Sequence, residues 1–240
     1  MAGSSPCALV TGASSGIGRA TAIALAQAGF NLALVSRSKD DLAAVAKDAQ
    51  THGVSAQTFP VDLADLPRVK AAIDNILEAC GPVGVLVNNA GMGYTGKLGE
   101  MSLSQWQQVM DLNLTSPFLC TQAVLPQMCD RGQGTIVNVA SLAAYQAFPD
   151  WGAYGVSKAA LVMLSKAFAV ETREAGVRVV TLSPGAVNTA IWDTDTVQAD
   201  FDRSQMLTPD IVAQAVVQAV TLPQQAVIEE IKLMPSGGAL

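Results

Sequence analysis

Histidine, cysteine motifs and charge are scarce in this 240-residue sequence. His52 is the only histidine, which argues against a histidine-ligated zinc site and against a Ser-His-Asp triad. The four cysteines show no C-x-x-C spacing, so the usual zinc and dithiol motifs are missing too. We therefore expect no metal centre and four reduced thiols.

Charged residues make up 14% of the chain, and its formal net charge is -6. With no basic patch, nucleic acid and anionic membrane surfaces are poor partners. The first ten residues lack the basic start of a signal peptide, and no uninterrupted apolar stretch of about 18 residues occurs. These observations predict a cytoplasmic protein with a small-molecule partner.

Hydrophobic residues account for 50% of the sequence, enough for one large domain over residues 1–240. Apolar strand-like runs alternate with helical patterns, which predicts an α/β fold: a single doubly wound parallel sheet of about seven strands with helices on both faces. A helical region over 102–131 should break or kink at Pro117 and Pro126. The expected strands lie at 7–12, 31–38, 54–63, 83–91, 134–141, 176–185 and 226–233, and two further helices at 152–175 and 209–220.

Tyr154 and Lys158 are four residues apart in the helical pattern, so their side chains should project from one face. A free tyrosine has a pKa of roughly 10, and a nearby ammonium would lower it toward working pH. Ser141 ends a buried strand and could hold a substrate oxygen beside Tyr154. The spacing alone is common in helices, and a serine at a strand end is usually an ordinary loop residue.

TGASSGIG, residues 11–18, joins the first strand to the first helix, where a phosphate-binding loop belongs. Gly12 permits the tight turn, Gly16 lets the backbone approach a pyrophosphate, and Gly18 lets the helix pack close to the strand. A glycine-rich turn without a ligand has the same local pattern. The strand-turn-helix context favours a dinucleotide, and we also assign Ser14, Ser15 and Ile17 to its binding loop.

Ser36 and Arg37 stand at the end of the second strand, where an acidic residue would hold the ribose 2′-hydroxyl of NAD. An arginine fork is complementary to a 2′-phosphate, so NADP is favoured over NAD. The alternative is that Arg37 is a solvated surface charge.

The ordered motifs closely resemble the short-chain dehydrogenases/reductases over nearly the whole chain. The resemblance rests on TGASSGIG at 11–18, VDL at 61–63, NNAG at 88–91, Asn113, Ser141, Tyr154-x-x-x-Lys158 and SPG at 183–185. It implies hydride transfer between a nicotinamide cofactor and a carbonyl or alcohol, with Tyr154 as acid/base, Ser141 orienting the carbonyl, Lys158 lowering the tyrosine pKa and holding the nicotinamide ribose, and Asn113 supporting a water linked to the lysine.

The same resemblance implies the remaining cofactor contacts. Asp62 and Leu63 would lie at the adenine, and Pro184 to Thr189 at the nicotinamide amide. The residues so implied are Asp62, Leu63, Asn89, Ala90, Gly91, Pro184, Gly185, Val187 and Thr189. Some NADP-using members carry a basic residue at the position of Ser15, so this chain departs from their pattern there.

An NADPH-dependent ketone or aldehyde reductase is the leading interpretation. Reduction of 3-oxoacyl groups on acyl carrier protein is an alternative, weakened by Ala175 where such members tend to be basic, although Arg131 remains available. A 3-hydroxy acid dehydrogenase, a pteridine reductase and a non-catalytic dinucleotide-binding sensor are further alternatives. The full tetrad disfavours the sensor.

Two further features bear on substrate and assembly. The segment 188–208 carries Trp192, Phe201 and Met206 among acidic residues, typical of a lid over an apolar ligand or of an ordinary surface loop. Residues 159–170 are apolar nearly all round, and SPFLCTQAVLPQM at 116–128 shows the same excess. This excess of apolar helix surface predicts a homodimer or homotetramer. The resemblance implies the same assembly.

Overall fold

A seven-stranded parallel sheet forms the centre of the molecule in the computed structural model, which describes residues 7–199 and 202–238. Its strand order is β3-β2-β1-β4-β5-β6-β7, and each neighbouring pair is parallel. The strands are β1 (Cys7–Thr11), β2 (Asn31–Ser36), β3 (Ala56–Pro60), β4 (Val83–Asn88), β5 (Gly134–Val139), β6 (Val177–Pro184) and β7 (Glu230–Leu233). The predicted doubly wound fold is confirmed.

Helices cover both faces of the sheet and divide the core into two layers. One apolar cluster packs α1, α2 and α7 against the sheet, and the other packs α3, α5 and α6 against the opposite face. The helices are α1 (Gly16–Gln27), α2 (Lys39–Gln50), α3 (Leu66–Cys80), α4 (Leu103–Met110), α5 (Ser116–Asp130), α6 (Gly152–Thr172) and α7 (Pro209–Val220). All residues of β1 and β5 are buried, because each of these strands is covered on both sides.

Capping side chains fix several helix starts. Ser38 accepts a hydrogen bond from the backbone of Asp41 at the start of α2, and Ser102 and Gln105 form a reciprocal capping box at α4. α7 begins and ends where the sequence predicts, whereas α6 ends at Thr172, three residues earlier than expected.

The helix does not break at Pro126, one of the two outcomes expected there. Pro126 lies inside α5, which runs on to Asp130, while Pro117 occupies the first turn of that helix. A proline is tolerated in a first turn because the amide it lacks has no helical partner there. The helical region is instead interrupted between α4 and α5 by a π-helical turn, Asp111–Thr115. This turn contains no proline.

α6 is the helix that supports the candidate site. It packs against β5 and β6, and its buried residues include the polar Ser157, Lys158 and Ser165. By length and composition alone it is the single helix in the described residues that could cross a membrane, a test that core helices also pass.

Candidate active site

The order of the strands creates a crevice between β1 and β4. The chain leaves β1 toward β2 on one side and reaches β4 on the other, so the loops after these two strands diverge at the carboxyl edge of the sheet. Ligands of open α/β sheets bind at such a reversal point. The predicted site residues come from strand ends, from the loops and helices that follow them and, for Asn113, from the turn between α4 and α5.

The glycine loop forms one wall of the crevice, and its conformation requires glycine. Gly12 and Gly16 have φ values of 64° and 51°, in the left-handed region that side chains disfavour. A Cβ on Gly18 would lie 2.1 Å from the carbonyl oxygen of Gly12 and 2.5 Å from Nδ2 of Asn89. The loop therefore folds tightly onto the start of α1 and onto the end of β4.

Thr11 joins the two strands at the crevice, although the sequence analysis did not single it out. Its Oγ1 donates to the carbonyl of Val87 at 3.2 Å and accepts from the amides of Asn89 at 2.9 Å and Ala90 at 3.0 Å. Asn89 Nδ2 donates in return to the carbonyl of Thr11 at 3.0 Å. A polar residue ending a wholly apolar strand was the available signal.

The residues at the far end of the crevice follow β2 and β3. Ser36 is buried, and its Oγ has no hydrogen-bond partner among the described residues. Arg37 is exposed, and no ion pair of the described chain includes it. Leu63 is buried, while Asp62 Oδ1 accepts from the amide of Ala64 at 3.0 Å.

The segment after β6 closes the crevice from the opposite side. The amide of Gly185 donates to the carbonyl of Leu233 at 2.8 Å, and Val187 is buried beside Leu207. A Cβ on Gly16 would lie 3.1 Å from the methyl group of Thr189, so this segment reaches the glycine loop. A cleft of about 540 Å³ opens beside that contact, between α1 and the segment 188–210.

The loop residues Ser14 and Ile17 are partly buried, and Ser15 is exposed. The Ile17 side chain packs against the core, so only its backbone faces the crevice side of the turn. Pro184 is the last residue of β6 and is buried.

Tyr154, Ser141 and Lys158 meet at the other end of the crevice. Ser141 lies close enough to the Tyr154 hydroxyl to lower its pKa. Lys158 lies one helical turn further along α6, with Nζ 5.8 Å from the centroid of the Tyr154 ring. Its Nζ donates to the carbonyl of Val139, the last residue of β5, at 2.9 Å.

Asn113 completes this group from the π-helical turn. It is fully buried, and its side chain bonds both backbone groups of Met92, at 2.8 Å to the amide and 2.9 Å to the carbonyl. Nδ2 also donates to Ser157 Oγ at 3.1 Å. A Cβ on Gly91 would lie 3.0 Å from Asn113 Oδ1 and 3.4 Å from Lys158 Nζ, so these three residues lie together.

The electrostatics of Tyr154 differ from the sequence expectation. Burial raises the pKa of Tyr154 above its ordinary 10, and the hydrogen bond from Ser141 only partly offsets this. Burial also lowers the pKa of Lys158 to about 8. Lys158 is not among the causes of the Tyr154 shift: its Nζ lies 5.8 Å from the ring centroid and donates to the carbonyl of Val139.

Replacing Lys158 with methionine is expected to stabilise the folded chain at pH 7. Folding buries an ammonium whose pKa falls from 10.5 to about 8. This destabilisation, about 3 kcal/mol, is fully present below pH 8 and is lost as the pH rises to 10.5, where the unfolded chain also loses the proton. Loss of the hydrogen bond to Val139 costs about 1 kcal/mol. The free energy of unfolding of the variant should therefore be higher by about 2 kcal/mol.

Denaturant unfolding of both proteins at pH 7 and pH 10 measures this difference. The gain of the Lys158→Met protein should shrink at pH 10. Equal differences at the two pH values would mean that the buried charge is not its cause.

The crevice can accept an elongated ligand with an anionic centre. Backbone amides at the start of α1 face its middle, and Gly12, Gly18 and Gly91 pack so closely against neighbouring residues that a Cβ would collide with them. The unpartnered Ser36 hydroxyl and the exposed Arg37 guanidinium lie at one end. The donor set fits a dinucleotide with a further phosphate on its adenosine half.

Residues 6–200 match the family model described as short chain dehydrogenase. The chain belongs to this family. As a short-chain dehydrogenase it is an oxidoreductase, which confirms the resemblance that its motifs indicated.

Curated relatives of this short-chain dehydrogenase have more than one activity. It is 34% identical over 237 residues to the sepiapterin reductase of Chlorobaculum tepidum, covering 96% of each chain. It is 36% identical over 202 residues to a 3-oxoacyl-[acyl-carrier-protein] reductase of Staphylococcus aureus, covering 84% of this chain and 81% of the relative. These names support the family and leave the substrate open.

Solved structures of short-chain dehydrogenases superpose closely on the chain. A metagenomic short-chain oxidoreductase in complex with NADP has a TM-score of 0.85 at 32% identity, covering 96% of this chain and 97% of the other. An alcohol dehydrogenase from Thermococcus sibiricus complexed with 5-hydroxy-NADP has a TM-score of 0.88 at 32% identity, with the same coverage.

Proposed function

We propose that the chain is an NADPH-dependent reductase of ketones or aldehydes, which also runs in reverse on the corresponding alcohols. The observation that carries this proposal is the grouping of Tyr154 with Ser141 and Lys158, whose Nζ lies 5.8 Å from the Tyr154 ring centroid, at the end of a dinucleotide-shaped crevice. The nicotinamide, when bound, supplies or accepts a hydride.

Tyr154 moves the proton in this mechanism. Because burial raises the pKa of Tyr154, the phenol is protonated at neutral pH and can donate from its hydroxyl to the carbonyl oxygen. Ser141 donates a second hydrogen bond to that oxygen and orients it. The positive charge of Lys158 stabilises the phenolate that forms, and Asn113 holds the backbone of Met92 against this group.

The cofactor-binding residues divide the crevice between them. The glycine loop binds the pyrophosphate, and Ser36 and Arg37 bind the 2′-phosphate that distinguishes NADP from NAD. Asp62 and Leu63 hold the adenine, and residues 89–91 line the ribose. Lys158 binds the nicotinamide ribose, and Pro184, Gly185, Val187 and Thr189 hold the nicotinamide amide.

Reduction of 3-oxoacyl groups on acyl carrier protein remains the second candidate, since a relative named for it is 36% identical. An acidic enzyme gains no electrostatic attraction to an acidic carrier. Arg131 donates to the carbonyl of Val83 at 2.6 Å, at the edge of the sheet away from Tyr154, so its guanidinium is partly engaged. A pteridine reductase and a hydroxy acid dehydrogenase are narrower forms of the main proposal.

The test is NADPH consumption by the purified chain with ketones, pteridines, hydroxy acids in the reverse direction and acetoacetyl thioesters. We expect turnover of simple ketones with NADPH well above that with NADH. Turnover confined to acyl carrier thioesters would favour the second candidate, and cofactor binding without any turnover would favour a sensor.

We also propose that the chain assembles as a homodimer or homotetramer through α6. Val156, Met163 and Val170 are exposed at 44%, 66% and 71%, and their spacing of seven places them along one stripe of α6. A second copy related by a two-fold axis would bury this stripe. On α5 the surplus expected from sequence is smaller, because Phe118 and Leu125 pack against the core.

Light scattering at micromolar concentration should therefore give a mass of at least twice the 24.8 kDa of one chain. Met163→Glu should shift the mass downward, because a carboxylate in the middle of the stripe would be buried unpaired. A monomer mass for the unmodified chain would refute the assembly.

In this proposal the chain is a single catalytic domain that works in the cytoplasm. All four cysteines are free thiols, which fits a reducing compartment. Cell fractionation followed by immunodetection checks the location.

A further inference from the structure

Two tryptophans extend the active site beyond the predicted residues. The Trp151 ring meets the Tyr154 ring edge-on, with centroids 5.2 Å apart, and meets the Trp192 ring at 5.6 Å. Trp192 Nε1 donates to the carbonyl of Val187 at 2.8 Å. The three rings form a continuous aromatic wall, defined by Trp151, Trp192 and Tyr154, that ends at the proton-donating hydroxyl.

Hydrogen bonds between three loops hold this wall in place. The amide of Gly96 donates to the carbonyl of Asp150 at 2.8 Å, directly before Trp151. The amide of Thr95 donates to the carbonyl of Thr196 at 2.9 Å, four residues after Trp192 in the chain. Asp150 has a φ of 65°, so the turn before Trp151 holds a left-handed residue that is not glycine.

The 188–208 segment is thus tied down over its first half. A Cβ on Gly93 would lie 2.7 Å from Val197, and Thr196 Oγ1 donates to the carbonyl of Gly93 at 2.8 Å. Met206 is buried, so it packs inside the protein, and Phe201 lies outside the described residues. Of Trp192 and Met206, Trp192 is the one that joins the aromatic wall, through its contact with Trp151.

The rim of the wall offers little to an anionic substrate. Its basic residues Lys97 and Arg203 already form ion pairs, with Glu100 at 3.6 Å and Asp193 at 2.7 Å.

Two further carboxylates on the same rim raise its negative charge. Asp150 and Asp195 are exposed and form no ion pair in the part of the chain that the structure describes. A substrate carboxylate or phosphate at this rim would meet this negative charge, and both basic residues of the rim are already paired.

We propose that Trp151 and Trp192 select the substrate, and that the site takes uncharged ketones bearing a planar aromatic group in preference to alkyl ketones and keto acids. This inference rests on the reductase function proposed above and names its substrate class. An aryl ring attached to the carbonyl can stack on or meet the edge of the tryptophans while its oxygen reaches Tyr154. Aromatic pairs contribute beyond their buried area, enough for about tenfold selectivity.

Three ketones of similar size test this selectivity: acetophenone, 2-octanone and benzoylformate. With NADPH, kcat/KM should be about tenfold higher for acetophenone than for 2-octanone, and lowest for benzoylformate. In Trp192→Leu the preference for acetophenone over 2-octanone should largely disappear, while Trp192→Phe should retain most of it. Trp106→Phe, which changes the third tryptophan on α4, should leave the preference unchanged.

Fluorescence gives a readout that does not need turnover. In the Trp106→Phe background, whose remaining tryptophans are Trp151 and Trp192, acetophenone should quench the emission and 2-octanone should not. If no ketone is turned over, the proposed function is refuted, but quenching still shows whether the aromatic wall binds an aryl ketone. Equal kcat/KM for the aryl and alkyl ketones, or a preference unchanged in Trp192→Leu, would overturn the inference.

If Trp192→Leu does not bind NADPH, the Phe variant decides instead. Trp151→Phe and Trp192→Phe keep a ring at each position, so a retained preference in both supports the wall. Loss of the preference in both, with NADPH binding intact, would show that ring contact is not what selects the substrate.

Discussion

Tyr154→Phe is expected to reduce turnover by on the order of 10² to 10⁴-fold while leaving NADPH binding nearly unchanged. The change removes one hydroxyl and keeps the ring, so the edge contact with Trp151 at 5.2 Å survives. What is lost is the proton that the buried phenol donates to the carbonyl oxygen. Ser141 remains but cannot replace it, since an alcohol is a much weaker acid.

A second tyrosine provides the matched control. Tyr145 lies four residues after Ser141, is 39% exposed, and its hydroxyl is 3.5 Å from Ser183 Oγ. Tyr145→Phe removes the same atom from a ring on the loop before α6, away from the reacting carbonyl, so it should retain most of the activity. Comparable losses in both variants would mean that the assay reports loop stability, and near-normal turnover in Tyr154→Phe would refute the mechanism.

The pH dependence of the reaction should follow from the same residues. Reduction needs protonated Tyr154 and charged Lys158, and burial lowers the pKa of that lysine to about 8. The rate of ketone reduction should therefore be level near neutrality and fall as the pH rises above about 8.

Sequence patterns predicted most of the fold because the central strands are buried on both faces. A run such as Cys7–Thr11 is buried at every position and apolar up to its last residue, so its type and position can be read without knowing its neighbours. Element ends were less predictable. α6 ends at Thr172, whose Oγ1 donates to the carbonyls of Phe168 and Val177, a side-chain contact that the helical pattern does not reveal.

Pro126 illustrates the same limit for breakers. A proline inside a helix removes one backbone hydrogen bond, and its ring crowds the preceding turn. These two effects usually bend or end the helix. Here the neighbours of Pro126 on α5, Val124 and Met128, are fully buried in the core, and the packing keeps the helix intact. Local propensity was overridden by tertiary burial.

The candidate site was predicted as positions along the chain, whereas its chemistry depends on distances. Spacing placed Lys158 below Tyr154, but it could not tell whether the ammonium would reach the phenol or the carbonyl of Val139. Thr11 and Trp151 were missed for a related reason. Their roles come from atoms contributed by other strands and loops, 76 or more residues away for Thr11.

Arg37→Asp is expected to reverse the cofactor preference. Arg37 follows β2, is exposed, and has no ion-pair partner in the described chain, so its guanidinium is available to a phosphate. A hydrogen-bonded charge pair contributes about 1.5–3 kcal/mol, which corresponds to roughly 10 to 10²-fold in kcat/KM for NADPH. The new carboxylate adds repulsion against the 2′-phosphate and can accept a bond from the 2′-hydroxyl of NADH.

The measurement is kcat/KM for NADPH and NADH in both proteins with one ketone. Lys47→Asp makes the same change of charge on the last turn of α2, at the opposite end of that helix from Arg37. It controls for the general effect of a more acidic surface. If only Arg37→Asp changes the ratio of the two cofactors, a specific contact to the 2′-phosphate is the cause. Equal ratios in the two variants would make Arg37 an ordinary surface charge, and the choice of NADP would then rest on the buried Ser36 hydroxyl alone.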